Sequence, residues 1–255
     1  MSPVNAGFAP YAVTLAAADS RDAAASEAAP LMHPSPELVI SKFIEAETKF
    51  RETVKEFSFK RDVVLQTLGA DGEVTGEYVR NSVFVIDDQG KRVEQLTYHP
   101  KSTIKEMKIT KEDLQDLASS QLFGLEAADL NLYHLAYAGE EMIGDRPTYL
   151  VRVRPVQEPD PKNMQARFFV GLIWIDKATF QIVRLQGITE PHGKQRFPMF
   201  QTSRDLILEN LRFPTTTTAD DVLHFAHYHV RFRINVRYYD FKRFGSRLNI
   251  VEVEN

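Results

Sequence analysis

The sequence predicts an α+β fold dominated by one large antiparallel sheet, curved into a half-open barrel and covered by two or three helices. Three observations lead there. One segment near the start repeats its apolar residues at helical spacing. A long series of period-two segments follows, separated by Asp- and Gly-rich corners. No alternating strand–helix rhythm of the kind that builds parallel sheets interrupts that series.

The helix is expected in "SPELVISKFIEAETKFRETVKEF". Ser35 suits an N-cap, and Pro36 stands at the first helical position, where its missing N–H costs nothing. Ile40, Phe43, Ile44, Phe50, Val54 and Phe57 then recur on one face. The period changes to two at "FSFKRDVVLQTL" (57–68), which a "GADGE" corner separates from 74–87, and "DDQG" turns the chain into 91–98. A second helix is expected at "TKEDLQDLASSQL", where Thr110 and Asp113 have capping-box spacing. Further strands are expected at 131–138, 147–155, 166–175, 180–187, 199–208, 211–218, 224–240 and 247–253, with the Pro-rich loop "PVQEPDPKNMQ" between two of them. Some ten antiparallel strands rarely stay flat, which is why a curled sheet is expected.

Residues 1–35 read as a disordered leader or a degenerate signal region, and 36–255 as a single domain. The leader is Ala-rich, and its small residues Ala16 and Ala18 frame an A-x-A pattern, but the first basic residue is Arg21, after the apolar stretch. A net charge of -4 argues against a nucleic-acid partner. Without cysteine there is no disulfide framework and no thiolate chemistry. No run approaches the roughly 18 apolar residues of a membrane-spanning helix.

The stretch "HFAHYHVRFRINVRYYDFKRFG" (224–245) combines three histidines with a ladder of arginines. From 226 it alternates, with Tyr228, Val230, Phe232, Ile234, Val236 and Tyr238 on one face and His227, His229, Arg231, Arg233, Arg237 and Tyr239 on the other. This reads as a half-buried strand whose arginines pair with acids of neighbouring strands. Two alternatives remain: contact of Arg231, Arg233 and Arg237 with a membrane surface, and metal binding by His227 and His229. Two ligands beside three arginines make a poor metal site, so none is expected. No G-x-S-x-G, Walker, dinucleotide-fold or H-E-x-x-H motif occurs, and no catalytic residue, enzyme activity or cofactor is expected.

The hairpin "RFFVGLIWIDKATFQIVRL" is apolar on both sides. Phe169, Ile173, Ile175, Phe180 and Ile182 are read as one face, and Phe168, Val170, Leu172, Trp174, Val183 and Leu185 as the other. Both sides of such a hairpin need cover, from the protein's own core or from a ligand.

These pieces together resemble the LolA-like superfamily of outer-membrane lipoprotein-sorting and carrier proteins. The resemblance is carried by the early helix feeding "FSFKRDVVLQTL", by "LAYAGEEMIGDRPTYLVRVRP", by "GLIWIDKATFQIVRLQG" and by "VRYYDFKRFGS". It spans roughly residues 36–250. It implies a half-barrel whose apolar cavity shelters acyl chains of lipids or lipoproteins, in the periplasm, without enzymatic activity. Phe168, Val170, Leu172, Trp174, Val183 and Leu185 are the lipid-binding residues it would select. An envelope sensor that uses the same half-barrel to bind a protein partner is the alternative function.

Overall fold

A computed structural model describes residues 34–110, 131–160, 163, 168–191, 198–208 and 210–244. The chain divides into two units, residues 1–33 and 34–255, and everything described belongs to the second. That unit contains one helix among the described residues, α1 (Pro36–Val54), and ten strands: β1 (Phe57–Leu68), β2 (Val74–Ile86), β3 (Arg92–Tyr98), β4 (Tyr133–Ile143), β5 (Arg146–Pro155), β6 (Phe168–Asp176), β7 (Ile182–Glu190), β8 (Phe200–Leu208), β9 (Leu211–His224) and β10 (His229–Arg243). The expected second helix, 110–122, lies outside the described residues from 111 on, and so does the last expected strand, 247–253.

All ten strands form one antiparallel sheet in the order β3-β2-β1-β10-β9-β8-β7-β6-β5-β4. Two meanders, β1 to β3 and β4 to β10, are joined where β1 pairs with β10, from Phe57 opposite Arg243 to Leu68 opposite Arg231. The sheet is open, with β3 and β4 as its edges.

Helix α1 begins as its sequence dictates. The Ser35 hydroxyl oxygen accepts from the Leu38 N–H, and Pro36 fills the first turn. Its buried line is Val39, Phe43, Glu47, Phe50 and Val54. Ile40 and Ile44 are only half-buried, and Phe57 opens β1 rather than extending the helix. The N-terminal half rests on a core of Tyr149, Val151, Val153, Phe169, Ile173, Ile175, Ile182 and Leu185 from β5, β6 and β7. The C-terminal half joins a second cluster through Phe50, Val54, Phe57 and Phe213, with the Phe57 and Phe213 rings 4.9 Å apart.

Ten strands laid flat would measure about 43 Å across, whereas the 19 residues of α1 span about 28 Å. Yet α1 touches β4 at one edge, and its Val54 carbonyl accepts a hydrogen bond from the Arg92 guanidinium of β3 at the other. The sheet therefore curves around the helix as a half-barrel, and the face that carries α1 is the concave one.

Candidate functional site

Helix α1 does not cover the whole concave face. On the β9-β10-β1-β2 side the floor is a third apolar cluster: Phe59, Val63 and Leu65 of β1, Tyr78 and Phe84 of β2, Leu223 of β9, and Phe232, Val236 and Tyr238 of β10. Strict alternation selects these residues. In β1 the odd positions from Phe57 to Leu65 are buried and the even ones half-buried, and Val63 lies opposite Val236 with Leu65 opposite Ile234.

What lies on this floor is neither helix nor strand. Residues 101–110 leave β3 after Pro100 and form an irregular strap whose Ile104, Met107 and Ile109 pack, half-buried, against the cluster. The strap is tied to β2 at one residue: the Thr103 N–H donates to the Glu77 carbonyl at 2.9 Å, and the Glu77 N–H donates to the Thr103 hydroxyl at 2.9 Å. Its backbone passes so close that a Cβ on Gly76 would stand 2.7 Å from the Ile104 Cα, so only glycine fits there. A second tie is Glu106, whose carboxylate accepts from the Thr67 hydroxyl at 3.1 Å and from the Lys105 N–H at 3.0 Å. The Thr75 hydroxyl, with the backbone N–H groups of Glu106 and Lys105 and the Thr67 hydroxyl, holds the Glu106 carboxyl down at about 2.

One wall of this floor is basic. Arg61, Arg80 and Ser82 converge on Glu94 with contacts of 2.8, 2.9 and 2.6 Å, and the Arg61 guanidinium stacks 4.7 Å from the centre of the Phe84 ring. Burial pushes the Glu94 carboxyl up, but Arg80, Ser82 and Arg61 more than offset that and leave it below its ordinary value. Arg92, between the Phe59 ring and the Val54 carbonyl, is lowered first by burial and then by the nearby charge of Arg51. An apolar floor beside partly desolvated guanidinium groups suits a ligand with an apolar tail and an anionic end.

The six residues selected from the sequence lie elsewhere. Phe168, Val170, Leu172 and Trp174 project from β6 on the face opposite α1, where Leu172 is flanked by Arg152 and Gln186 and Trp174 by Leu150 and Arg184. Phe168, Val170 and Leu172 are half-buried there. Trp174 is 5% exposed, donates its Nε1–H to Glu141 at 2.8 Å and lies under the Arg184 guanidinium. This is an outer face of mixed polarity. Leu185 is not on it as expected. The register slips between Trp174, opposite Arg184, and Ile175, opposite Ile182, which leaves Val183 as an extra residue. That bulge reverses the alternation. Leu185 therefore sits opposite Ile173 in the core under α1, on the same face as Ile182.

The basic face of β10 is as read from the sequence: Arg233 pairs with Asp220 at 2.9 Å, Arg231 with Asp220 at 3.9 Å, and Arg237 with Asp62 at 3.3 Å. The histidines differ. β10 begins at His229 rather than 226, so His227 lies in the turn, and His229 is paired instead with His224 of β9.

No protein-family model matches the chain, and no curated protein matches it. Solved structures do. The chain is similar to a LolA superfamily protein from Nitrosomonas europaea, at 16% identity over 83% of this chain and 94% of that one, with a TM-score of 0.36. It is similar to an outer membrane lipoprotein-sorting protein domain from Vibrio parahaemolyticus, at 10% identity over 82% and 94%, with a TM-score of 0.39. A DUF1329 family protein from Desulfovibrio piger matches at 10% identity over 82% and 94%, with a TM-score of 0.38. At such identities and superpositions the functional reading has to come from this chain's own side chains.

The strap was not legible in advance. "HPKSTIKEMKIT" places Ile104, Met107 and Ile109 among lysines with no regular period. The floor was legible in principle, because the odd positions of "FSFKRDVVLQTL" and the even positions of 230–238 carry the alternation that buries them.

Proposed function

We propose that this chain is a non-enzymatic carrier that shelters an acyl chain on the apolar floor of β1, β2, β9 and β10, beneath the 101–110 strap. One observation carries the reading: nine buried apolar side chains on four strands are covered in part by an irregular segment held to β2 at Glu77 and by one carboxylate. Lifting such a segment breaks few hydrogen bonds, and an acyl chain taking its place would gain about 0.8 kcal/mol per buried methylene. Arg92 and the Arg61–Glu94–Arg80 group would face its anionic end. A lipid or the acyl group of a lipoprotein has this chemistry, and the cell envelope is the compartment in which such a carrier would act. The acyl-binding role expected of the Trp174 face passes to the opposite, concave face.

The test is native mass spectrometry of the purified protein followed by organic extraction. Near one acyl species per chain, reduced by Leu65→Asp or Ile234→Asp on the floor in protein that keeps its far-UV spectrum, supports the carrier. A ligand-free mass and no uptake of added fatty acid, phospholipid or lipopeptide overturns it.

A second reading, a module that binds a partner protein, is favoured by the open edge at β3. Its Leu96 and Tyr98 are 50% and 58% exposed, and among the described residues no strand pairs with its outer hydrogen-bonding side. An extended partner segment could add there as an eleventh strand. Amide-exchange protection of 92–98 by a partner peptide, without displacement of lipid, would mark this mode.

A further inference from the structure

His224 ends β9 and His229 opens β10, directly opposite one another across the turn. Their Nδ1 atoms are 2.8 Å apart and their rings stand 75° to each other. Without a cation, two nitrogens this close share one proton as an N–H···N hydrogen bond. Both residues are exposed, so the paired nitrogens are open to solvent.

We propose that His224 and His229 form a two-imidazole site for a divalent transition metal, with copper(II) or nickel(II) preferred over zinc. Nitrogens about 2.0–2.1 Å from an ion and set at right angles around it are about 2.9 Å apart, the adjacent positions of square-planar or octahedral coordination. A tetrahedral ion needs about 3.3 Å, so zinc would have to open the pair. The protein supplies two ligands: among the described residues no group of three or more His, Asp or Glu side chains is arranged around a metal. Solvent completes the shell, which makes the site exchangeable. Arg231, two residues along the same face, opposes a cation, and its pairing with Asp220, which also binds Arg233, partly offsets that opposition. A bound ion would staple the β9–β10 hairpin on the sheet face opposite the Leu223–Phe232 end of the apolar floor.

The test is titration of tag-free protein with copper(II), nickel(II) and zinc salts by isothermal calorimetry, with electron paramagnetic resonance on the copper form. The expected result is one ion per chain, micromolar affinity falling from copper to nickel to zinc, and a two-nitrogen copper signature. His224→Ala and His229→Ala should each weaken copper binding roughly tenfold or more, while His134→Ala, on β4, leaves it unchanged. Circular dichroism shows whether each variant keeps the fold. No saturable binding, or copper binding that survives both substitutions in folded protein, overturns the site.

Discussion

Glu47 of α1 and Arg204 of β8 form a bidentate ion pair at 2.8 and 3.0 Å, with both side chains 1% exposed and the Arg204 guanidinium 4.2 Å from the centre of the Phe50 ring. The pair pins the middle of the helix to the middle of the sheet, at the one polar position on the buried line of α1. A buried pair of this kind contributes little net stability over an apolar replacement, because both charges lose their hydration. It does penalise any register of the helix that parts its members. Glu47→Ala should therefore destabilise the protein by about 3–5 kcal/mol, since it removes the carboxylate that both Arg204 Nη groups donate to in a buried site. Glu47→Leu combined with Arg204→Met should recover most of that loss, as read from urea unfolding midpoints. A double variant no more stable than Glu47→Ala would show that the pair is not what couples these elements.

The Glu106 tie gives the strap a pH dependence of known sign. Its carboxyl is held at about 2, below the unfolded value of about 4.3. The stabilisation is therefore complete above pH about 4.3 and is lost as the pH falls through that range towards 2. Amide exchange at residues 102–110 should accelerate over this window before the sheet unfolds, and Glu106→Gln should abolish the dependence. Exchange that tracks global unfolding at every pH would mean that Glu106 does not hold the strap.

Gly76 offers a way to lift the strap without acid. A valine there must displace Ile104, whose Cα is 2.7 Å from the new Cβ and whose backbone N is 3.0 Å away. Gly76→Val should lose protection at the Thr103 and Glu77 amides. If the floor binds acyl chains, it should also speed uptake of a fluorescent fatty acid in stopped-flow mixing. Uptake unchanged in a variant with a demonstrably released strap would separate the strap from ligand entry.

The basic face of β10 should behave in the opposite way to the Glu47–Arg204 pair. Arg233 and Asp220 are 37% and 47% exposed, and solvent-screened pairs of this kind are worth about 0.2–1 kcal/mol. Arg233→Ala should shift the thermal midpoint by no more than a few degrees, and less in high salt. A larger loss would place Arg233 in a role beyond its surface pairing.

The elements themselves were determined by local sequence. The N-cap Ser35 with Pro36 starts the helix where expected, and "FSFKRDVVLQTL" occupies β1 to the residue. The open antiparallel sheet follows from period-two alternation, because a strand's two faces can be read from its own residues. Tertiary structure decided which of those faces became the inside. Pairing of β1 with β10, 175 residues apart at Asp62 and Arg237, joins the two meanders into one sheet, and the side to which α1 binds makes the Phe169 face concave and the Trp174 face convex. One extra residue at Val183 moved Leu185 to the other side of the sheet, an event that straight alternation cannot register. The His224–His229 pairing depends in the same way on where the turn begins. Alternation is local and survives in the sequence. Register, bulges and the choice of covered face are settled by contacts between distant strands, and these are what assembled the strap, the floor and the paired histidines.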